Sequence, residues 1–260
     1  MRITGERAST PAAGFRPQWE RHVFAYAAAG DLLPEGRVLD LGCGVGHSYH
    51  LLSPRETVGV DVSSEALDGQ DRETVVADMR ELPFADRSFA SVLSVHSIEH
   101  VPDPERVFRE VVRVLVPGGK AIFVTPNRLT FGRPDEIIDA YHYVEFDAAQ
   151  LRELCAPFFA KTRILGIMGS RRYATVVEQE HRKLNAILRL DPFRLRRFIP
   201  RRTRQHLYDL TLTRARARAS PLQAEIGPED FRLAEGLLDE AHDLLAECSL
   251  AFGRSSPAKA

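Results

Sequence analysis

The amino-acid sequence predicts an α/β protein, with a mostly parallel β-sheet that carries helices on both of its faces. Three observations lead to this fold class. Short apolar runs alternate with segments of helical periodicity between residues 36 and 168. The first apolar run ends in a glycine-rich turn. The length of 260 residues, 44% of them hydrophobic, suits one large domain with room for an inserted unit.

The glycine-rich turn lies within Val38–His47, which reads VLDLGCGVGH. Asp40 stands near the end of the apolar run, and three glycines follow at alternate positions. These glycines are Gly42, Gly44 and Gly46. Such a turn before a helix lets the backbone approach a nucleotide. His47 occupies the place of the third glycine in the dinucleotide fingerprint G-x-G-x-x-G, so the sequence excludes that common turn.

The pattern Asp40-x-Gly42-x-Gly44-x-Gly46 resembles the first motif of the class I S-adenosylmethionine-dependent methyltransferases. Residues 82–89, L-P-F-x-D-x-S-F, are similar to a segment of the ubiquinone and menaquinone methyltransferases and their small-molecule relatives. Residues 115–127, L-x-P-G-G-K-x-x-x-x-x-P-N, complete the resemblance, which covers residues 36–168. It implies a Rossmann-like, seven-stranded, mostly parallel sheet and S-adenosyl-L-methionine as the methyl donor.

Two acidic positions are expected to bind the donor. Asp61 ends the second predicted strand, where one carboxylate accepts hydrogen bonds from both ribose hydroxyls; the alternative is a helix cap. By resemblance, Asp78 faces the adenine amino group and Met79 packs on the ring. The complete predicted donor-binding set is Arg7, Tyr26, Asp40, Gly42, Gly44, Gly46, Asp61, Val62, Asp78, Met79 and His96.

Arg7 and Tyr26 belong to an N-terminal arm that, in many relatives, folds over the donor. The guanidinium of Arg7 would bind the donor's carboxylate and the phenol of Tyr26 its polar end. The alternatives are a solvated arginine and a core tyrosine.

Three histidines are candidates for catalysis. His96 and His100 follow the fourth predicted strand, where the transferred methyl group is expected. His142 lies near Glu145 in a long connection, residues 127–146, and is the leading general base, because a carboxylate can orient an imidazole for proton transfer. The alternative for each is a hydrogen-bonded structural histidine. No cluster commits the sequence to a metal, although magnesium could be held by three acids. These acids are Asp135, Glu136 and Asp139.

A helical insertion is predicted at about residues 169–240, before the last strand. From Arg171 to Arg218 there are fourteen arginines and lysines against four acids. A cap over the substrate is the favoured interpretation, followed by contact with a lipid surface or an anionic substrate. RNA binding is disfavoured because the segment is helical, and a solvated basic subdomain that helps to form a homodimer remains open.

The predicted units are an arm and helix (1–35), the donor-binding core (36–168), the insertion (169–240), the last strand (241–253) and a disordered tail (254–260). A net charge of −1, three widely spaced cysteines and the lack of a signal-peptide core or an 18-residue apolar run favour a cytoplasmic protein. Neither a D-P-P-Y nor an N-P-P-Y segment follows strand four, and no cysteine lies in strands four or five, which disfavours nucleobase methylation.

The expected function is O-methylation of a small-molecule hydroxyl, with a sugar, glycan or glycolipid as the acceptor. The alternatives are C-methylation of a lipid quinone and, from another class, S-adenosylmethionine binding without catalysis.

Overall fold

The computed structural model describes residues 16–131, 135–189, 191, 198–200, 203–206 and 220–252. Arg7, the predicted tail and much of the arginine-rich segment therefore lie outside the described residues. None of the described helices is both long and apolar enough to cross a membrane.

One mixed sheet of eight strands forms the centre of the structure, in the order β3-β2-β1-β4-β5-β8-β6-β7. The strands are β1 Val38–Leu41, β2 Thr57–Asp61, β3 Glu73–Val76, β4 Phe89–Val95, β5 Leu115–Pro126, β6 Lys161–Gly169, β7 Phe231–Ala234 and β8 Asp243–Ser249. Strand β8 runs antiparallel to both of its neighbours, and β7 runs antiparallel to β6. The pairs among β1 to β5 are all parallel.

The predicted fold class is confirmed, but the sheet has eight strands and not seven. The additional strand, β7, lies inside residues 169–240, where the sequence predicted a helical insertion. It is only four residues long and lies at the sheet edge, so it lacks the apolar run that marks the buried strands.

Helices cover both faces of the sheet. They are α1 Arg16–Leu32, α2 Ser64–Leu67, α3 Pro104–Val114, α4 Ala148–Cys155, α5 Arg171–Leu188 and α6 Pro221–Ala224. On one face α3 buries Val107, Phe108 and Val111, and Phe108 stacks on Phe123 of β5 with ring centroids 4.3 Å apart. On the other face α1 and the start of α5 pack against a second apolar cluster that includes Tyr173.

The carboxyl ends of β1 and β4 are neighbours although their chain connections leave in opposite directions along the sheet. In open α/β sheets such a switch point creates a crevice between the diverging connections, and ligands bind there. The fold therefore places the glycine-rich turn and the residues that follow β4 at the expected ligand site.

Candidate active site

A cavity of about 410 Å³ opens at the switch point between β1 and β4; it is called the donor cavity below. Nine of the predicted site residues line it. They are Tyr26, Gly42, Gly44, Asp61, Val62, Asp78, Met79, His96 and His100. The structure does not bring Asp40, Gly46 or His142 to this wall.

The glycine-rich turn exposes its backbone to the donor cavity. Gly42 has a φ of +71° and Gly44 a φ of +54°, a region that side chains with a Cβ rarely adopt. A Cβ at Gly42 would lie 2.4 Å from the Cβ of Ser97. The turn thus requires glycine at position 42, both for its backbone conformation and because the chain after β4 approaches the turn closely at Ser97.

Asp61 braces the same turn from the end of β2. One carboxylate oxygen, Oδ2, accepts from the backbone N–H of Gly44 at 3.0 Å, and Oδ1 accepts from that of Ser63 at 2.9 Å. Ser63, and not Asp61, caps helix α2, because its hydroxyl accepts from the backbone N–H of Ala66. The carboxylate therefore joins the second strand to the turn at the cavity wall.

Asp78 and Met79 lie on the wall that follows β3. Arg80 donates to the Asp78 carboxylate from its backbone and its guanidinium, the shortest contact being 2.6 Å, and these hydrogen bonds lower the pKa of Asp78. Asp78 is thus an ionised side chain that already has a partner. Met79 reaches the glycine turn, with its Cε 3.1 Å from the place of a Cβ on Gly42.

Asp40 is fully buried behind the glycine turn, where it holds other residues in position. Its Oδ1 accepts from Tyr26 Oη at 2.9 Å, and its Oδ2 lies 2.8 Å from Nη2 of Arg72. Arg72 also donates to Gln70, whose amide donates to the carbonyl of Gly44. Arg72 and Gln70 were missed by the sequence analysis, and no motif marks them.

Helix α1 supplies aromatic and imidazole rings to the donor cavity. His22 and Tyr26 line it, and Trp19 stacks on His47 with ring centroids 4.2 Å apart. Burial, together with neighbouring His96, lowers the pKa of His22 well below its usual value; burial and His50 lower the pKa of His47 to about 4. The sequence analysis missed His22, although its position one helical turn before Tyr26 would have identified it.

His96 sits at the end of β4 with a φ of +49°, an unusual conformation for a residue other than glycine. Its Nε2 lies 3.1 Å from Oδ2 of Asp243 on β8, and Nε of Arg21 lies 3.0 Å from the same oxygen. Burial raises the pKa of Asp243, but the charges of Arg21 and His96 outweigh this and hold it below the usual value. The roles of Arg21 and Asp243 were not predicted from the sequence, because these residues come from the two ends of the described chain.

His142 lies behind His100, with the two rings 5.0 Å apart and nearly perpendicular. Nδ1 of His142 is 2.9 Å from Oε1 of Glu145, so the expected carboxylate partner is present. Burial lowers the pKa of His142, but the hydrogen bond with Glu145 and the charge of Asp139 raise it by more.

A second cavity of about 810 Å³ borders this histidine pair. It is called the acceptor cavity below, after the role that we propose for it. Its lining includes His142, Glu145 and Glu136, and Tyr143 lines both cavities. His100 lines only the donor cavity and His142 only the acceptor cavity. The two histidines thus form a wall between the cavities.

Glu99 joins the two histidines in a compact group. One potential ligand atom from each of Glu99, His100 and His142 lies within 4.8 Å of the other two. Within the described ranges this is the metal-competent group, and it differs from the expected set Asp135, Glu136 and Asp139. The H-x-x-E spacing occurs at 96–99 and again at 142–145, but it contributes only Glu99 and His142 to this group, so no single motif predicts it.

Comparison with solved structures identifies the fold. The structure matches that of an S-adenosylmethionine-dependent methyltransferase from Thermotoga maritima, described as a possible histamine N-methyltransferase, with a TM-score of 0.60 and 20% identity. The match covers 90% of this chain and 93% of the other. The fold is therefore that of the class I methyltransferases.

Residues 39–123 match the family described as "Methyltransferase domain". A probable S-adenosylmethionine-dependent methyltransferase of Mycolicibacterium smegmatis is 33% identical over 161 residues, 58% of this chain and 62% of the relative. A second, from Mycobacterium tuberculosis, is 34% identical over 164 residues, 59% of each chain. The chain thus spans about three fifths of the length of these curated relatives.

Proposed function

We propose that this protein transfers a methyl group from S-adenosylmethionine to a hydroxyl oxygen of a small molecule, with a sugar, glycan or glycolipid as the acceptor. The observation that carries the proposal is the wall of His100 and His142 between two cavities, with Glu145 hydrogen-bonded to His142. A hydroxyl nucleophile must lose its proton, and an imidazole oriented by a carboxylate is suited to accept it.

The residues of the donor cavity fit the methyl donor. The exposed backbone at Gly42 and Gly44 leaves room for the donor's close approach, and Asp61 offers an acceptor for its ribose. Met79 offers a polarisable face for adenine. Within the part of the chain that the structure describes, His22 Nε2 is buried and has no hydrogen-bond partner, which leaves it available to the donor's amino-acid end.

When bound, the donor supplies an activated methyl group on a positively charged sulfur. The chain's main task is then to hold the hydroxyl in line with that group, and positioning alone can supply about 7–11 kcal/mol of the barrier reduction. We assign the proton of the hydroxyl to Nε2 of His142, since Nδ1 faces Glu145. His96 and His100 line the donor cavity and would orient the reacting groups.

Two further relatives bear on the atom that is methylated. Tocopherol O-methyltransferase of Arabidopsis thaliana is 36% identical over 103 residues, 34% of this chain and 30% of the relative. The ubiquinone/menaquinone biosynthesis C-methyltransferase of Desulfotalea psychrophila is 38% identical over 116 residues, 40% of this chain and 46% of the relative. Similar domains thus serve O- and C-methyltransferases, and the proposal for oxygen rests on the histidine wall.

The test is a transfer assay with isotopically labelled methyl donor against matched panels of glycosides, phenols and quinones, with EDTA present throughout. We expect labelled methyl ethers, located by mass spectrometry and NMR. Transfer only to quinone carbon would replace the proposal with C-methylation. Tight donor binding without transfer to any acceptor would favour a binding protein.

A further inference from the structure

We propose that Glu99, His100 and His142 form a binding site for a divalent transition-metal ion of the Zn²⁺ type, between the donor and acceptor cavities. Two imidazoles and one carboxylate are a common ligand set for such ions, with further positions left open. Binding of the metal ion does not depend on the proposed function. Only the effect of the ion on catalysis, described below, rests on the proposed methyl transfer.

The three ligand atoms are near enough to share one ion. They lie within 4.8 Å of one another, whereas ligands at a tetrahedral Zn²⁺ are about 3.4 Å apart, given bonds of about 2.1 Å. Binding would therefore require the ligand atoms to approach one another by at most about 1.4 Å. His100 is half-buried, and it provides an opening to the donor cavity.

Each proposed ligand already has an outer partner of the kind found at metal sites. Nδ1 of His142 faces Glu145 at 2.9 Å, and Nδ1 of His100 faces the carbonyl of Tyr141 at 3.3 Å. These contacts leave Nε2 of each ring for an ion. Metal-ligating histidines typically donate their other N–H to a carboxylate or a backbone carbonyl in this way.

Glu99 provides the second, independent observation. Its side chain is buried, and Oε2 accepts from Thr125 Oγ1 at 3.1 Å. Oε1 is buried without a hydrogen-bond partner among the described residues, and Nδ1 of His96 is 3.8 Å away from it. A buried carboxylate oxygen that lacks a partner costs free energy, and a cation would offset that cost.

The chemistry of the ligands selects the ion. Mg²⁺ prefers oxygen ligands and near-ideal octahedral geometry, so two imidazoles disfavour it. Borderline ions such as Zn²⁺ and Co²⁺ accept imidazole nitrogen together with carboxylate oxygen. These ligands therefore favour a Zn²⁺-type ion over the expected magnesium. Of the three acids expected to hold magnesium, Asp139 lies nearby, with Oδ2 4.0 Å from Nε2 of His142.

A bound ion would also change the part played by His142. While Nε2 coordinates the ion it cannot hold a proton, and a hydroxyl coordinated to the ion becomes acidic enough to lose its proton to water. The ion would then perform the step that the proposed function gives to His142 in the metal-free protein.

The test titrates EDTA-stripped and desalted protein with Co²⁺, followed by its visible absorption, and then displaces Co²⁺ with Zn²⁺. We expect one ion per chain, with Co²⁺ bands typical of four- or five-fold coordination. His100→Ala and Glu99→Gln should each weaken Zn²⁺ binding by at least about tenfold, because even outer partners contribute that much. The matched control is His50→Ala, which removes an exposed histidine of the 3₁₀ turn Tyr49–Leu52 and should bind as the wild type does.

Equal affinity in the wild type and both variants would overturn the site, as would a loss of binding in His50→Ala. Thermal unfolding of each variant shows whether it is folded. If Glu99→Gln does not fold, the conclusion rests on His100→Ala, which replaces a half-buried residue. The two proposals fail separately: methyl transfer in EDTA without any Zn²⁺ binding removes the metal site alone. Zn²⁺ binding without transfer to any acceptor, with or without the ion, removes the proposed function alone.

Discussion

The two walls of the site are built from contacts of very different range along the chain. On the donor side, Asp78 pairs with Arg80 two residues away, and Asp61 holds the N–H of Gly44, 17 residues away. On the wall that separates the two cavities, called the acceptor wall below, His100 faces a carbonyl 41 residues away. His96, which lines the donor cavity after β4, meets Asp243 of the last described strand. A wall built from short-range contacts can be predicted from motifs, whereas one built from distant segments requires the fold.

The two walls also differ in the side chains that they offer, which suit donor binding on one wall and proton transfer on the other. The donor wall offers backbone and carboxylate acceptors, and its neutral imidazoles, His22 and His47, have lowered pKa values. On the acceptor wall, His142 has a raised pKa because of carboxylate neighbours. We therefore expect substitutions on the two walls to change different measured quantities, and the predictions below run from the largest expected effect to the smallest.

His142→Ala on the acceptor wall should lower kcat by about 10²–10⁴-fold in EDTA, because general-base catalysis contributes about that much. Donor affinity, measured by calorimetry, should stay nearly unchanged, since His142 does not line the donor cavity. An unaltered kcat would assign the proton to His96 or His100. An equal loss of donor affinity would mean that the walls are not separable.

Arg72→Met should destabilise the donor wall from behind. It leaves Asp40 buried without its cation, and breaking a buried ion pair costs about 3–5 kcal/mol. The free energy of unfolding, from urea titration, measures this effect. Arg37→Met is the matched control, because Arg37 pairs with the exposed Glu56 and Glu73 and its loss should cost under about 1 kcal/mol. Similar costs for the two variants would contradict the role given to Arg72.

Asp61→Ala should weaken binding of S-adenosylmethionine by roughly 100-fold, since two charge-assisted hydrogen bonds to the ribose are worth about 3 kcal/mol. Turnover at saturating donor should fall far less. Asp61→Asn, which can still accept from the N–H of Gly44, separates bracing of the turn from recognition of the ribose. Wild-type affinity in Asp61→Ala would show that the ribose lies elsewhere.

Asp230→Asn tests a contact that lies outside both walls. Asp230 accepts from Arg172 at 2.7 Å and from Ser170 at 2.6 Å, where α5 begins. Burial raises its pKa, but these hydrogen bonds lower it by more, so its pKa lies below the usual value of 3.8. The substitution should cost about 1–2 kcal/mol at neutral pH, a figure reduced for the partial exposure of Arg172.

The pH dependence of Asp230 has a definite sign. A lowered pKa stabilises the folded protein above the unfolded pKa of about 4, and this contribution disappears as the pH falls through the lower folded value. The difference in unfolding free energy between wild type and Asp230→Asn should therefore shrink between pH 5 and pH 3. A difference that stays constant over this range would mean that the ionised carboxylate contributes nothing.

The sequence predicted the parts of this molecule that one segment specifies by itself. The glycine turn, the acid that ends β2 and the residues after β3 were located because a buried strand, a turn and a polar end follow each other within a few residues. The pairing of His142 with Glu145 was predicted for the same reason, since only three residues separate them.

The rest depended on strand order and could not be predicted from neighbouring residues. Asp243 reaches His96 only because β8 inserts between β5 and β6. Arg72, directly before β3, reaches Asp40 of β1 only because β2 lies between these strands and offers Gly59, which has no side chain, at the crossing. Strand β7 was missed because four residues at a sheet edge carry little apolar signal. Asp40 was expected to bind the donor; the structure places it in a buried ion pair with Arg72, behind the residues that line the donor cavity, and the spacing of the motif does not reveal this position.

The position of β8 also affects how the protein is made. This strand is translated after all the other described strands, yet it lies between β5 and β6, which are translated well before it. During synthesis the donor wall can assemble from β1 to β5. The contact between His96 and Asp243 can form only after Asp243 has left the ribosome. A nascent chain stopped before residue 243 would thus hold a half-built crevice in which the facing edges of β5 and β6 lack their ladder partner, and unpaired strand edges favour aggregation.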